Sequence, residues 1–188
     1  YVKRQDPGSF RTQRRGGKGI SGITTKEEDI VSQLFATQTH DNLLFFTNRG
    51  RVFQLKVYEL PESSRVAKGV AIVNLLELQT EEKILSILPI KKQMAKTESK
   101  NTFVLMATRN GTIKKTAIAS YEAIRRSGII AIKLTPGDQL RWAKLTVGTD
   151  LVFMVSKKGM SIKFNETDVR PMARDTMGVR GIKIKPGD

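Results

Sequence analysis

The sequence predicts an all-β protein built from repeated, propeller-like blades of about four short antiparallel strands each. Three observations carry that prediction. First, three stretches share one grammar: LLFFTNRGRVFQLKVYELPESSRVAKGVAIVNL from Leu43, FVLMATRNGTIKKTAIASYEAIRRSGIIAIKL from Phe103, and LVFMVSKKGMSIKFNETDVRPMARDTMGVRGIKI from Leu151. Second, in each an apolar run meets a polar or basic pair and a glycine, at Asn48-Arg49-Gly50, Arg109-Asn110-Gly111 and Lys157-Lys158-Gly159. Third, a second strand follows, and then a basic-rich loop reaches another glycine, at Gly69, Gly128 and Gly178.

Within each unit, four or five apolar residues, a tight turn ending in Gly and then alternation, as in Arg51-Val52-Phe53-Gln54-Leu55, spell a β-hairpin with a three-residue loop. Glycine takes the left-handed position there. The strand before the turn, apolar on both faces, is expected to be buried; the alternating strand after it should turn one face to solvent or a partner. A further strand starts at the second glycine, and Ile84 to Ile90 and Leu140 to Thr146 read as strands opening the next unit. The hairpin glycines are spaced by 61 and then 48 residues, so the second unit carries an insertion, KKQMAKTESKN at 91 to 101. It is polar and without periodicity, and is expected to be a mobile loop, either merely solvated or a binding element.

The N-terminus is the back half of another unit. Tyr1-Val2-Lys3-Arg4-Gln5 matches Thr112-Ile113-Lys114-Lys115-Thr116, and Arg14-Arg15-Gly16-Gly17 matches Arg125-Arg126-Ser127-Gly128. The repeats divide the chain at 1–22, 23–78, 79–135 and 136–188. QRRGGKG at 13 to 19 therefore occupies the loop after an alternating strand.

Charge suggests the partner. Lys and Arg number 33 against 18 Asp and Glu, a net +15 that attracts a polyanion and opposes self-association. Nucleic acid or an anionic membrane surface is the expected partner. With 39% hydrophobic residues the chain can still bury a core, and its longest apolar runs are far too short to cross a bilayer. The absence of cysteine removes disulfides and thiolate metal sites and fits a reducing compartment. No secretory signal is visible, and the first residue is Tyr1, so a trimmed piece with its true start missing is expected.

Enzymatic readings fare poorly. GGKGIS lacks the G-x-x-x-x-G-K-[ST] spacing and the following helix of a phosphate loop. His40 has no Cys or second His to form a triad or metal site and is expected in a turn or edge. Tyr1, Tyr58 and Tyr121 are assigned to outer strands or loops; Trp142 and the phenylalanines to blade packing. An aromatic content of 6% provides no row of stacking platforms for single strands.

QRRGGKG resembles the signature heptapeptide of the C-terminal domain of DNA gyrase A subunits, and THDNLLFFTNRGRVFQLKVYELP, RRSGIIAIKL and DVRPMARDTMGVRGIK are similar to other parts of that family. The resemblance runs over essentially the whole chain, with 91–101 the least recognisable part. It implies a β-pinwheel, a propeller-like ring whose blades exchange strands and around whose basic perimeter duplex DNA wraps. It also implies a non-catalytic part of an ATP-dependent type II topoisomerase in the bacterial cytoplasm, associated with the nucleoid and supporting negative supercoiling. The chain itself would hold no cofactor, since the ATP and magnesium sites of the enzyme lie elsewhere. Its implied partners are duplex DNA, the remainder of the gyrase A subunit, plus the B subunit in an A2B2 enzyme, with no membrane and an isolated domain that is monomeric. The family's topoisomerase IV relatives typically lack an intact heptapeptide, which speaks against that alternative; a propeller-type module for an acidic protein partner is the other.

The expected DNA contacts follow from recurrence, because cations repeated on each blade can grip phosphates without reading sequence. In the heptapeptide, Arg14, Arg15 and Lys18 would meet phosphates, Gly16, Gly17 and Gly19 would let the backbone approach, and Gln13 would add a neutral hydrogen bond. The loop series is Arg65 and Lys68, Arg125 and Arg126, and Arg174. The strand series is Lys3 and Arg4, Lys114 and Lys115, and Lys163. Arg49, Arg51, Arg109, Lys157 and Lys158 at the hairpin turns, with Arg180, complete the candidate set. For each single cation, solvation of a β surface is the competing explanation.

Overall fold

The computed structural model describes residues 1–9, 14–17, 30–92, 94 and 96–185. Gln13, Lys18 and Gly19 of the heptapeptide lie outside the described residues. The chain is almost wholly β. Its strands are β1 (Asn42–Thr47), β2 (Arg51–Lys56), β3 (Ile84–Ile90), β4 (Phe103–Thr108), β5 (Thr112–Ala117), β6 (Ile129–Ile130), β7 (Leu140–Thr146), β8 (Leu151–Val155), β9 (Ser161–Asn165) and β10 (Val179–Arg180). Among the described residues one short α-helix, α1 (Lys96–Lys100), and five short 3-10 helices interrupt them.

The hairpins β1–β2 and β4–β5 turn through three residues each, and β8–β9 through five. Gly50, Gly111 and Gly159 sit at φ +72°, +85° and +86°, the left-handed region that side chains resist. The third turn nevertheless has the same core: Gly159 N–H donates to the Ser156 carbonyl at 3.0 Å, as Gly50 N–H does to Thr47 and Gly111 N–H to Thr108. Ser156 N–H also donates to the Met160 carbonyl at 2.7 Å, pairing the two residues on either side of Lys157-Lys158-Gly159.

Two four-stranded antiparallel sheets have the orders β3-β1-β2-β6 and β10-β5-β4-β7, with β8-β9 as a third, two-stranded sheet. The order reveals strand exchange, the mark of a β-pinwheel. β6 belongs in sequence to the second unit yet pairs with β2 of the first, Arg51 opposite Ile130 and Val52 opposite Ile129. β10 of the third unit pairs with β5 of the second in the same register, Thr112 opposite Arg180 and Ile113 opposite Val179. Val70, after Gly69, bridges to Val2 of the N-terminal half unit. Two successive repeats thus lend a strand, and a third a single bridge, to the one before.

Two further backbone bonds seal each exchange. The Gly50 carbonyl accepts from the N–H groups of Ala131 and Ile132, and the Gly111 carbonyl from those of Gly181 and Ile182. A Cβ on Gly50 would lie 2.5 Å from the Ile132 carbonyl oxygen, and one on Gly111 would collide with that of Ile182. The hairpin glycine is required both by its dihedral angle and by the strand laid against it.

β1 is buried on both faces. Leu43 and Phe45 pack with Phe53, Val57, Leu60 and Leu76 on one side; Leu44 and Phe46 pack with Val104, Met106, Ile118, Tyr121, Ile132 and Leu140 on the other, filling the space between first and second sheets. Burying each large apolar side chain contributes roughly 1.5–3 kcal/mol. A smaller cluster of Ile113, Val152 and Val169 joins the second sheet to the third.

Several expectations are corrected here. β8 is not buried on both faces: Leu151, Phe153 and Val155 are 66%, 63% and 53% exposed, because among the described residues no further sheet packs on that face, whereas the matching Leu44 and Phe46 of β1 are covered by Val104 and Met106 of the second sheet. β5 does not show a solvated face, since β10 and the loop before it cover residues 113–116. The segment 91–101 contains the one-turn helix α1, with Lys91 3.6 Å from Glu98. Tyr121 is buried in the core rather than set on an outer strand, and Trp142 is 56% exposed instead of packed. His40 lies in a turn with its ring edge-on to Tyr58.

Candidate nucleic-acid interface

Exposed cations fall on hairpin turns, on loops that precede exchanged strands, and on strands β7, β9 and β10. Arg125 and Arg126 open a turn closed by Gly128 N–H to Arg125 O at 2.8 Å, with Gly128 at φ +75°. Arg14 and Arg15 open a turn at the equivalent repeat position, closed by Gly17 N–H to Arg14 O at 3.0 Å; its left-handed residue is Gly16, at φ +86° with open space around it, where the other turn has Ser127. All four arginines are exposed. Residues 14–17 of the heptapeptide therefore form an open turn that leads with two exposed arginines.

The other loops repeat the theme with variations. Arg65 and Lys68 are half-buried, and the Lys68 ammonium stands 3.9 Å from the centre of the Tyr1 ring. Arg174 is half-buried and donates to the Ile130 carbonyl at 2.9 Å. Lys157, Lys158, Lys163 and Arg180 are exposed. Arg49 and Arg109 are exposed too, but each ties its hairpin to the turn that opens the next inner strand: Arg49 reaches Gln79 Oε1 and Thr80 O, both at 2.7 Å, and Arg109 reaches Gly137 O at 2.7 Å.

The strand series is corrected. Lys114 and Lys115 are 0% and 4% exposed and cannot meet a phosphate. Lys114 Nζ donates to the carbonyls of Ala131 at 2.9 Å and Thr176 at 3.1 Å, and also to that of Arg174. Lys115 Nζ donates to Glu166 O at 2.8 Å and stands 3.9 Å from the Glu166 carboxylate. At the matching N-terminal positions, Lys3 Nζ donates to Ser64, Arg65 and Ala67 carbonyls at 3.2, 2.5 and 2.8 Å, while Arg4 pairs with Glu62 at 3.0 Å. Arg51 is also turned inward. It pairs with the buried Glu82 at 2.8 Å, covers the Phe53 ring at 4.6 Å, and donates to the Ser127 carbonyl. Burial pushes the Lys114 ammonium down to about 8, with Asp175 pulling it up and Arg174 pushing it further down. Lys3 is lowered by burial as well.

Comparison of the repeats misses Arg141 and Lys144, which β7 turns to solvent. β3 carries no cation at those places, so recurrence gives no signal for them. Among the described residues no group of three or more His, Cys, Asp and Glu could hold a metal, and no helix is long and apolar enough to cross a membrane.

Blades that exchange strands and present basic turns define a class, the C-terminal domains of bacterial type IIA topoisomerases. The family model described as "DNA gyrase C-terminal domain, beta-propeller" matches at residues 1–38, 41–91, 102–146 and 150–188. The chain belongs to this DNA gyrase C-terminal domain family. It is 46% identical to the DNA gyrase A subunit of Clostridium acetobutylicum over 96% of its own length, and 45% identical to that of Escherichia coli strain K12 over 100%, spanning 21% of each relative. The chain thus covers about a fifth of the length of these curated relatives. Among solved structures, it is similar over its whole length to the C-terminal domain of DNA topoisomerase IV, with a TM-score of 0.84 at 31% identity and 55% of that chain covered. It is also similar to a DNA gyrase A C-terminal domain, with a TM-score of 0.69 at 29% identity and 58% of that chain covered.

Proposed function

We propose that this chain binds duplex DNA without sequence preference along its successive basic turns and bends it into a positive, chiral wrap. The observation that carries this reading is the pair of exposed arginines that opens a hydrogen-bonded turn at the equivalent position of two repeats, Arg14 and Arg15 before Gly17 and Arg125 and Arg126 before Gly128. Bending a duplex by tens of degrees over 20 to 30 base pairs costs about 1–6 kcal/mol, and contacts that recur along the path can offset it. Arg14 and Arg15, Arg125 and Arg126, Lys157 and Lys158, Lys163 and Arg180 supply solvent-facing cations for such a path.

As a part of a gyrase A subunit, the chain itself would carry out no catalysis. It would act with the remainder of that polypeptide and with the gyrase B subunit, in the bacterial cytoplasm, where the wrap gives ATP-driven strand passage its direction toward negative supercoils. The ATP and magnesium chemistry would belong to those other parts. The topoisomerase IV likeness, at a TM-score of 0.84, favours a second reading in which DNA is bound and bent without a chiral wrap. QRRGGKG and the 45–46% identities to gyrase A subunits favour the first.

The test is a topology assay: incubate the chain with nicked circular DNA at low salt, ligate, remove protein and read the linking number. A positive shift that Arg14→Ala/Arg15→Ala abolishes is expected. Binding with no shift in the wild-type chain would replace chiral wrapping by the topoisomerase IV-like reading.

A further inference from the structure

The three basic loops share a device that the DNA path does not use. Each is held from beneath by a cation on the neighbouring unit's strand, the strand onto which that loop's own continuation is exchanged. Lys3 takes three carbonyls of the 64–67 loop. Arg51 takes the Ser127 carbonyl of the 125–128 loop, and Lys114 takes the Arg174 and Thr176 carbonyls of the 173–178 loop. Lys3 and Lys114 stand at the same repeat position. The middle unit has Phe53 there, and Arg51, two residues earlier, reaches over the Phe53 ring to make the equivalent bond.

We infer that Lys3, Arg51 and Lys114 are positioning residues, which fix the backbone of the basic loops in the shape that receives a phosphate without touching DNA themselves. The chemistry fits. Backbone carbonyls converging at a tight turn repel one another, and an ammonium with three donors, or a guanidinium with five, satisfies several together. A loop fixed before binding loses less conformational freedom when the duplex arrives, so its cations bind more tightly than the same cations on a loose loop. The stems fit the exchange as well: a Cβ on Gly69 would meet the Lys3 Cβ at 2.9 Å, and one on Gly178 the Lys114 Cβ at 3.1 Å. The device is repeated, with a different cation, where the sequence has changed.

This inference rests on the DNA-binding reading above, and the experiment separates the two. In the chain, Lys3→Met keeps the apolar stem and removes the donors. The amides of residues 64–68 should then exchange about tenfold faster while the β1–β2 ladder keeps its protection. Affinity for duplex DNA should fall several-fold, and no further in an Arg65→Ala/Lys68→Ala background. Arg51→Met provides the second case, with the 125–128 amides and an Arg125→Ala/Arg126→Ala background. Unchanged loop exchange in both variants overturns the inference. So does an affinity loss that adds fully to the loop variants, because it would make Lys3 and Arg51 phosphate contacts in their own right. If the loop variants themselves leave DNA affinity unchanged, the DNA reading of those loops fails, and with it the purpose given to the clamps, while the exchange data still report whether the loops are held.

Discussion

Lys114 binds through its charge, yet sits where charge is costly. Its ordinary value of 10.5 is pushed down to about 8 by burial, so at neutral pH the folded chain still carries the proton that its three carbonyl partners call for. Between pH 8 and 10.5 the unfolded chain holds this proton while the folded chain has released it. Stability therefore rises with pH across that window from this group, by at most about 1.4 kcal/mol per pH unit. Urea midpoints of the wild-type chain, measured against Lys114→Met from pH 7 to 10.5, should show the wild type gaining on the variant; parallel curves would refute the depressed value. The inward lysines are hidden in the sequence because their acceptors lie far along the chain, 60 residues on for Arg174 and 62 for Thr176. One sequence signal points at them: the position that holds Lys3 and Lys114 holds Phe53 in the unit between, and a place that accepts phenylalanine is a covered place.

At the scale of elements, the hairpins were legible because their rules are local. Apolar residues alternate or run on for a strand's length, and a glycine closes the turn; β3 and β7 have the bounds their sequences suggest. Exchange was legible only through the family resemblance, since nothing in Ile129–Ile130 itself states which strand will receive it. β8 departs from β1 despite a similar apolar run because burial depends on the sheet packed against a strand's face, which the strand's own residues do not state. Two glycines with nearly the same φ separate backbone strain from exchange. Gly159→Ala meets open space and should cost about 1 kcal/mol, the penalty of a left-handed alanine. Gly111→Ala adds a collision with the Ile182 carbonyl and should cost about 2 kcal/mol or more, read from the urea midpoint. Equal costs would mean that the exchanged segment yields freely.

For the whole molecule, the recurrence of basic loops was legible, and so was the family. Which cations face outward was settled only by packing between repeats. The solvent-facing pair Arg125 and Arg126 should carry electrostatic affinity: replacing both by Ala should reduce the magnitude of the slope of log affinity against log salt by about 0.9 for each phosphate no longer gripped. An unchanged slope would leave them merely solvated. The exchange has a mechanical side too. If the chain bends a duplex as proposed, the stiff DNA would recoil and pull on whichever turn grips it. The turn at 125–128 runs straight into β6, which is bonded across β2, and then into the two N–H groups that end on the Gly50 carbonyl. Tension taken up by one repeat would thereby be handed to its neighbour, and the chain would resist as a belt of overlapping links, in which no single grip stands alone against the spring of the DNA.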